Sequence, residues 1–173
     1  MPIATASQTI GPYWHLIAHP EWADLTRFGA EGERLTLTGR ITDGDGALVT
    51  DACVELWQAS PEASDSFPGY GRSATDADGK FRFTTLRPGP LPGPGNAPQA
   101  PHLAINLLAR GILGRLVTRV YFAGEALNET DPILSLLEDP ARRATLIARP
   151  AGAGAWHIDI RLQGADETVF LEF

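Results

Sequence analysis

The sequence predicts an all-β fold: an antiparallel β-sandwich preceded by an N-terminal arm, with short helices only after residue 131. Three observations predict it. Short runs alternate apolar and polar residues at the two-residue period of a strand. Turn-forming residues punctuate them throughout, with 18 glycines and 14 prolines in 173 residues. Helix-start signals are confined to Asp131-Pro132 and Asp139-Pro140, each an N-cap followed by proline at the first helical position. A chain of this length buries a core without disulfides or a structural metal, and reads as one sandwich domain over residues 34–173.

Residues 1–33 have no apolar period and form the arm. Tyr13 and Trp14 within it need a surface to lie on, either the arm's own sheet or a partner. The first strand spans residues 34–42, with Leu35, Leu37, Gly39 and Ile41 on one face. Asp43-Gly44-Asp45-Gly46 is a turn; it lacks the later ligands and closing Glu of a calcium loop. Residues 52–58 form the next strand, with Cys53, Glu55 and Trp57 opposite Val54 and Leu56. A polar loop follows to Gly71, then a short strand at 72–75, a turn at Asp76-Ala77-Asp78-Gly79, and a strand at 80–85 carrying Phe81 and Phe83 on one face. Six prolines between 88 and 101 exclude both strand and helix there. Strands at 102–109 and 116–122 come next, then helices at 133–137 and 141–147. A strand at 156–163 and an edge strand at 169–173 close the chain. Trp57, Phe81, Phe83, Ile105 and Ile158 are the expected interior.

Composition limits the partners. A net charge of −7 disfavours nucleic acid and acidic membranes, and no apolar run is long enough to span a bilayer. Cys53 is the lone cysteine, so no intrachain disulfide forms. It reads as a small buried residue of a cytoplasmic, reducing compartment. The first residues lack the pattern of a signal peptide.

Several segments, in order and spacing, resemble the intradiol ring-cleaving dioxygenases. They are Glu55-Leu56-Trp57-Gln58-Ala59, Gly71-Arg72-Ser73-Ala74-Thr75, Arg87-Pro88-Gly89-Pro90, Ala100-Pro101-His102, Val120-Tyr121-Phe122 and His157-Ile158-Asp159-Ile160-Arg161. Thr9-Ile10-Gly11-Pro12-Tyr13 and residues 164–173 are similar to the arm and tail of the alpha chain in the family's heteromeric, dihydroxybenzoate-cleaving members. The resemblance implies Fe(III) held by two tyrosines and two histidines, and oxygen-dependent opening of a catechol ring. In this chain the tyrosine position inside the Pro-Gly-Pro loop is Leu91, and the His-x-His pair is His102-Leu103-Ala104. No tyrosine follows Trp57-Gln58-Ala59 by a few residues, and Tyr70 stands where the family has no ligand. The resemblance therefore implies a chain without metal, His102 being structural, whose partner beta subunit holds the Fe(III). It also implies that Thr9, Gly11, Pro12 and Tyr13 line the substrate cleft facing that iron, with Arg110 nearby to meet a carboxylate. Two plainer readings are a surface arginine at 110 and a simple bend at Gly11-Pro12. The rival functions are a stand-alone binding sandwich and a catalytic homomer with relocated ligands. His15, His19, His102 and His157 are scattered and have no second ligand at usable spacing.

Overall fold

The computed structural model describes residues 5, 6, 8–11 and 13–172. Its strands are β1 (Arg34–Thr42), β2 (Cys53–Trp57), β3 (Tyr70–Ala74), β4 (Lys80–Leu86), β5 (Leu91–Pro92), β6 (Pro98–Gln99), β7 (His102–Leu108), β8 (Leu116–Phe122), β9 (Ile147–Gly152) and β10 (Ala155–Arg161). One short α-helix, α1 (Pro140–Ala144), precedes β9. Eight strands follow the order β3-β2-β7-β8-β9-β10-β1-β4; β5 pairs with β6, so the proline-rich segment holds two short strands and a 3-10 turn between them where the sequence argued against strand and helix. Strand β9 belongs to both halves of the fold, since it pairs with β8 on one side and β10 on the other.

The alternation read from the sequence sets the core. Leu35, Leu37 and Ile41 of β1 meet Phe81 and Phe83 of β4, Val54 and Leu56 of β2, Leu103, Ile105 and Leu107 of β7, and Ile158 and Ile160 of β10 in one cluster. Gly39 occupies the core face of β1 because nothing larger fits. A Cβ there would lie 2.3 Å from the Phe81 ring and 2.8 Å from the Ile158 carbonyl oxygen.

The structure departs from the sequence reading in particulars. Two pairings are parallel, β1 with β10 and β8 with β9. Alternation reports which face a residue takes and carries no information about strand direction. Trp57 was expected inside and is 49% exposed, because Val54 and Leu56 take the core face of β2 and put Trp57 outside, its ring tilted against Tyr70 with centroids 4.3 Å apart. The helix expected at 133–137 is a single 3-10 turn, Leu134–Leu136, and that at 141–147 shortens to α1 and yields to β9. Asp139 caps α1 as expected, its Oδ1 accepting from the Ala141 N–H at 2.8 Å. Strand β9 was missed because Pro150 and Gly152 interrupt an otherwise short run. Residues 169–172 form no strand. They are fastened to β8 by single bonds, Leu171 N–H to the Val117 carbonyl and Thr118 Oγ1–H to the Val169 carbonyl, each 2.7 Å.

Among the described residues before β1 are two 3-10 turns, Trp14–Ile17 and Pro20–Ala23. The second turn lies against β3, and Leu25 is fully buried with its N–H on the Thr84 carbonyl at 2.9 Å. Gly71 permits that approach: a Cβ would sit 2.5 Å from Leu25 Cδ1 and 2.6 Å from the Trp22 carbonyl oxygen.

Candidate functional site

The positions expected to be degenerate ligand sites converge in space. Leu91, His102 and Ala104, with Trp57, Gln58 and Ala59, line one pocket of about 190 Å³ on the outer face of β2 and β7. Strand register builds it. Trp57 lies opposite Ala104, and Leu91 opposite Gln99. Behind it the Gln58 side chain is fully committed. Its amide donates to the Ser60 and Leu86 carbonyls at 2.6 and 2.8 Å, and its Oε1 accepts from Thr85 Oγ1 at 2.7 Å.

His102 Nδ1 lies 2.8 Å from the Ala100 carbonyl oxygen. A carbonyl only accepts, so Nδ1 carries the proton and Nε2 is the acceptor nitrogen. Burial, reinforced by the Arg119 charge, holds the imidazole below its ordinary pKa despite the bond to Ala100. The wall behind it is a buried polar frame. Asp131 Oδ1 accepts from the Tyr121 hydroxyl and from the N–H groups of Ile133 and Leu134, at 3.0, 2.9 and 3.0 Å, while its Oδ2 accepts from the Ala100 N–H at 2.8 Å. Burial pushes the Tyr121 phenol well above its ordinary range, so it stays a neutral donor.

Ferric iron does not fit these residues. Leu91 and Ala104 offer no donor atom, and one imidazole nitrogen does not hold a hard trivalent cation. Among the described residues, no group of three or more His, Cys, Asp and Glu side chains could hold a metal ion. His157, one of the scattered histidines, is tied at the β1/β10 edge, with Nδ1 3.0 Å from Thr38 Oγ1 and Nε2 3.1 Å from Asp159 Oδ1.

The other predicted site residues gather at the far end of β7. Thr9 Oγ1 donates to the Ala109 carbonyl at 3.0 Å, beside Arg110. Arg110 Nε lies 2.9 Å from Asp51 Oδ2, and its side chain is 69% exposed. The Trp14 indole N–H donates to the Asp51 carbonyl at 3.0 Å. Gly11 has φ +77°, a left-handed conformation that favours glycine. Tyr13 is 74% exposed, and Leu16 and Ile17 beside it are also exposed. Pro12 lies outside the described residues. The arm and Arg110 thus meet, and Asp51, which the sequence reading did not single out, joins them. Residues 102 and 109 are roughly 23 Å apart at about 3.3 Å per strand residue, so the arm does not line this chain's own pocket.

A second cluster was missed. Glu55 Oε1 accepts from the Tyr70 hydroxyl at 2.9 Å and from Arg72 Nε and Nη2 at 2.9 and 2.7 Å, and Asn106 donates to Oε2 at 3.3 Å. Burial alone would raise the Glu55 pKa, but these hydrogen bonds outweigh it and hold the carboxyl below its usual range. Tyr70 is pushed up to about 12 by burial and by Glu55. The residues alternate correctly in the sequence, but only register shows that Glu55 faces both Arg72 and Asn106.

A β-sandwich whose pocket holds Leu91, His102 and Ala104 defines a class, and comparison with known proteins gives it a family. Residues 11–164 match the family model described as Dioxygenase. The chain is 40% identical to the protocatechuate 3,4-dioxygenase alpha chain of Pseudomonas putida, covering 98% of this chain and 96% of that one. It is 36% identical to the protocatechuate 3,4-dioxygenase beta chain of Burkholderia cepacia, covering 94% of this chain and 77% of that one. The dioxygenase domain of a dioxygenase carbohydrate-binding protein fusion from Streptomyces sp. SirexAA-E superposes with a TM-score of 0.64 at 30% identity, covering 94% and 97% of the two chains. The chain belongs to the intradiol dioxygenase family. Among the described residues, no helix is long and apolar enough to cross a membrane.

Proposed function

We propose that this chain is the alpha subunit of a protocatechuate 3,4-dioxygenase. It pairs with a beta subunit that binds Fe(III), and the pair cleaves 3,4-dihydroxybenzoate between its hydroxyl-bearing carbons with dioxygen. The observation that carries this reading is the pocket with Leu91 and Ala104 where donors are needed, in a chain 40% identical to an alpha chain. A member of the family that cannot hold the metal itself contributes by shaping a partner's cleft.

The arm is suited to that work. Thr9 and Trp14 pin it to the body of the domain, while Tyr13, Leu16 and Ile17 stand out from it as an apolar surface. In this reading residues 1–33 pack on the partner, and residues 34–173 form the sandwich that carries them. Thr9, Gly11, Pro12 and Tyr13 form one wall of the substrate cleft, opposite the partner's iron. Arg110 meets the substrate through its exposed guanidinium, since Asp51 lies against the Nε edge and leaves the two terminal nitrogens for a carboxylate. The wall orients the ring and reacts with nothing; misplacing a ring by about 1 Å costs on the order of a hundredfold in rate. The lone buried thiol of Cys53, pushed up to about 11 chiefly by burial, suits a reducing cytoplasm.

Co-expression with a cognate beta chain tests the proposal. The expected result is a mixed complex on size-exclusion chromatography that cleaves 3,4-dihydroxybenzoate, while this chain alone carries no stoichiometric iron by elemental analysis. One tightly held iron per isolated chain, or a monomer indifferent to the beta chain, overturns it.

A further inference from the structure

The pocket over Ala104 has lost its metal donors and kept its walls. Trp57 is half exposed and braced from behind by Tyr70 at 4.3 Å, so it presents a fixed aromatic face. Ala104, its neighbour across the β2/β7 ladder, contributes only a methyl group and leaves the space above it open. Leu91 adds an apolar side chain to the lining. The pocket, about 190 Å³ and open to solvent on one side, has room for a single flat ring lying on Trp57. The polar character of the lining is selective. The Gln58 amide is spent on Ser60, Leu86 and Thr85. The His102 tautomer is fixed by Ala100, leaving Nε2 as an acceptor. An acceptor in an apolar slot beside an indole face selects a flat molecule with an O–H to donate.

We infer that this pocket binds a planar phenol without transforming it: a second ligand site on the iron-free chain, distinct from the cleft formed with the partner. The phenol ring lies on Trp57 over Ala104, and its hydroxyl donates to His102 Nε2. No bond is made or broken, because nothing in the lining activates oxygen or carries charge to the ring. This inference concerns the chain's own pocket and stands whether or not the proposed pairing holds.

Calorimetric titration with 4-hydroxybenzoate, a monophenol that cannot chelate, tests it. The expected stoichiometry is one ligand on the isolated full-length chain, and two per alpha–beta pair where the pair forms. Ala104→Trp fills the pocket and removes one site from either count, leaving ring-cleavage turnover unchanged. Leu91→Trp fills it from another lining position and gives the same loss should the first variant fold poorly by circular dichroism. Benzoate, which lacks the hydroxyl, binds this site about fivefold more weakly or worse, as expected for one lost hydrogen bond of about 1 kcal/mol. A count of zero on the isolated chain and one per pair overturns the inference, as does a count untouched by both variants, or equal affinity for benzoate. Absence of a pair with one site still present on the isolated chain counts against the pairing alone.

Discussion

Replacing Trp14 by Phe isolates the fastening of the arm. The side chain is 9% exposed and its Nε1–H donates to the Asp51 carbonyl at 3.0 Å. Phenylalanine keeps most of the apolar surface and removes the donor. A net hydrogen bond contributes about 1 kcal/mol, and leaving its acceptor unsatisfied costs about 1–3 kcal/mol. A loss near 1.4 kcal/mol lowers the ratio of docked to undocked arm about tenfold. The Thr9 bond to Ala109 remains, so the arm is loosened and still present. Hydrogen exchange reads this directly. The Leu16 amide, which donates to the Tyr13 carbonyl, should exchange about tenfold faster, with the amides of β7 unchanged. In the mixed complex KM for the dihydroxybenzoate should rise while iron content stays normal. Unchanged exchange together with unchanged KM would refute the reasoning and place the fastening elsewhere.

Three further outcomes are expected. Asp131→Ala strands four donors, from Ala100, Tyr121, Ile133 and Leu134, around a fully buried position, and thermal melting should show a loss of at least about 3 kcal/mol; a smaller loss would mean the frame repacks freely. Glu55→Gln tests a pH-linked contribution. The folded pKa of Glu55 is depressed, so its stabilisation is present above the unfolded value of about 4.3 and is lost as pH falls through the folded value. Urea midpoints should therefore differ between native and variant at neutral pH and converge in acid; a pH-independent gap would contradict the assignment. Gly11→Val should raise KM in the mixed complex with normal iron content. Among the described residues, no atom beyond its chain neighbours lies within 4 Å of the added Cβ, so the cost of about 1–2 kcal/mol comes from its φ of +77° rather than from a clash, and steady-state kinetics beside an iron assay checks it.

Burial patterns were the legible part of the fold. Leu35, Leu37, Phe81, Phe83, Ile105 and Ile158 all sit where alternation places them. Trp57 shows the limit of that reasoning: in residues 52–58 both faces of the alternation carry apolar side chains, and Val54 and Leu56 rather than Trp57 take the buried one. Strand direction was not legible, because the parallel β1–β10 pairing joins residues more than a hundred positions apart. At the candidate site, the convergence of Leu91, His102 and Ala104 was readable through family resemblance. The resemblance also put Arg110 near the arm, but the bond from Thr9 to the Ala109 carbonyl was not readable, since it depends on where a loop and an arm cross in space. Asp51 gave no signal because half of its work is done by its backbone carbonyl, which every residue possesses.

The parallel pairing of β1 with β10 also sets the order in which the chain can fold. Strand β1 gains β4 early, but its other edge stays open until residues 155–161 exist. During synthesis, a hydrophobic strand with one unpaired edge therefore waits for nearly the whole chain to emerge. Long-range pairing of this kind folds slowly and leaves an edge able to recruit foreign strands. Truncation before β10 should consequently be far more damaging to solubility than a truncation of equal length from the arm, and nascent chains halted near residue 150 should associate through β1.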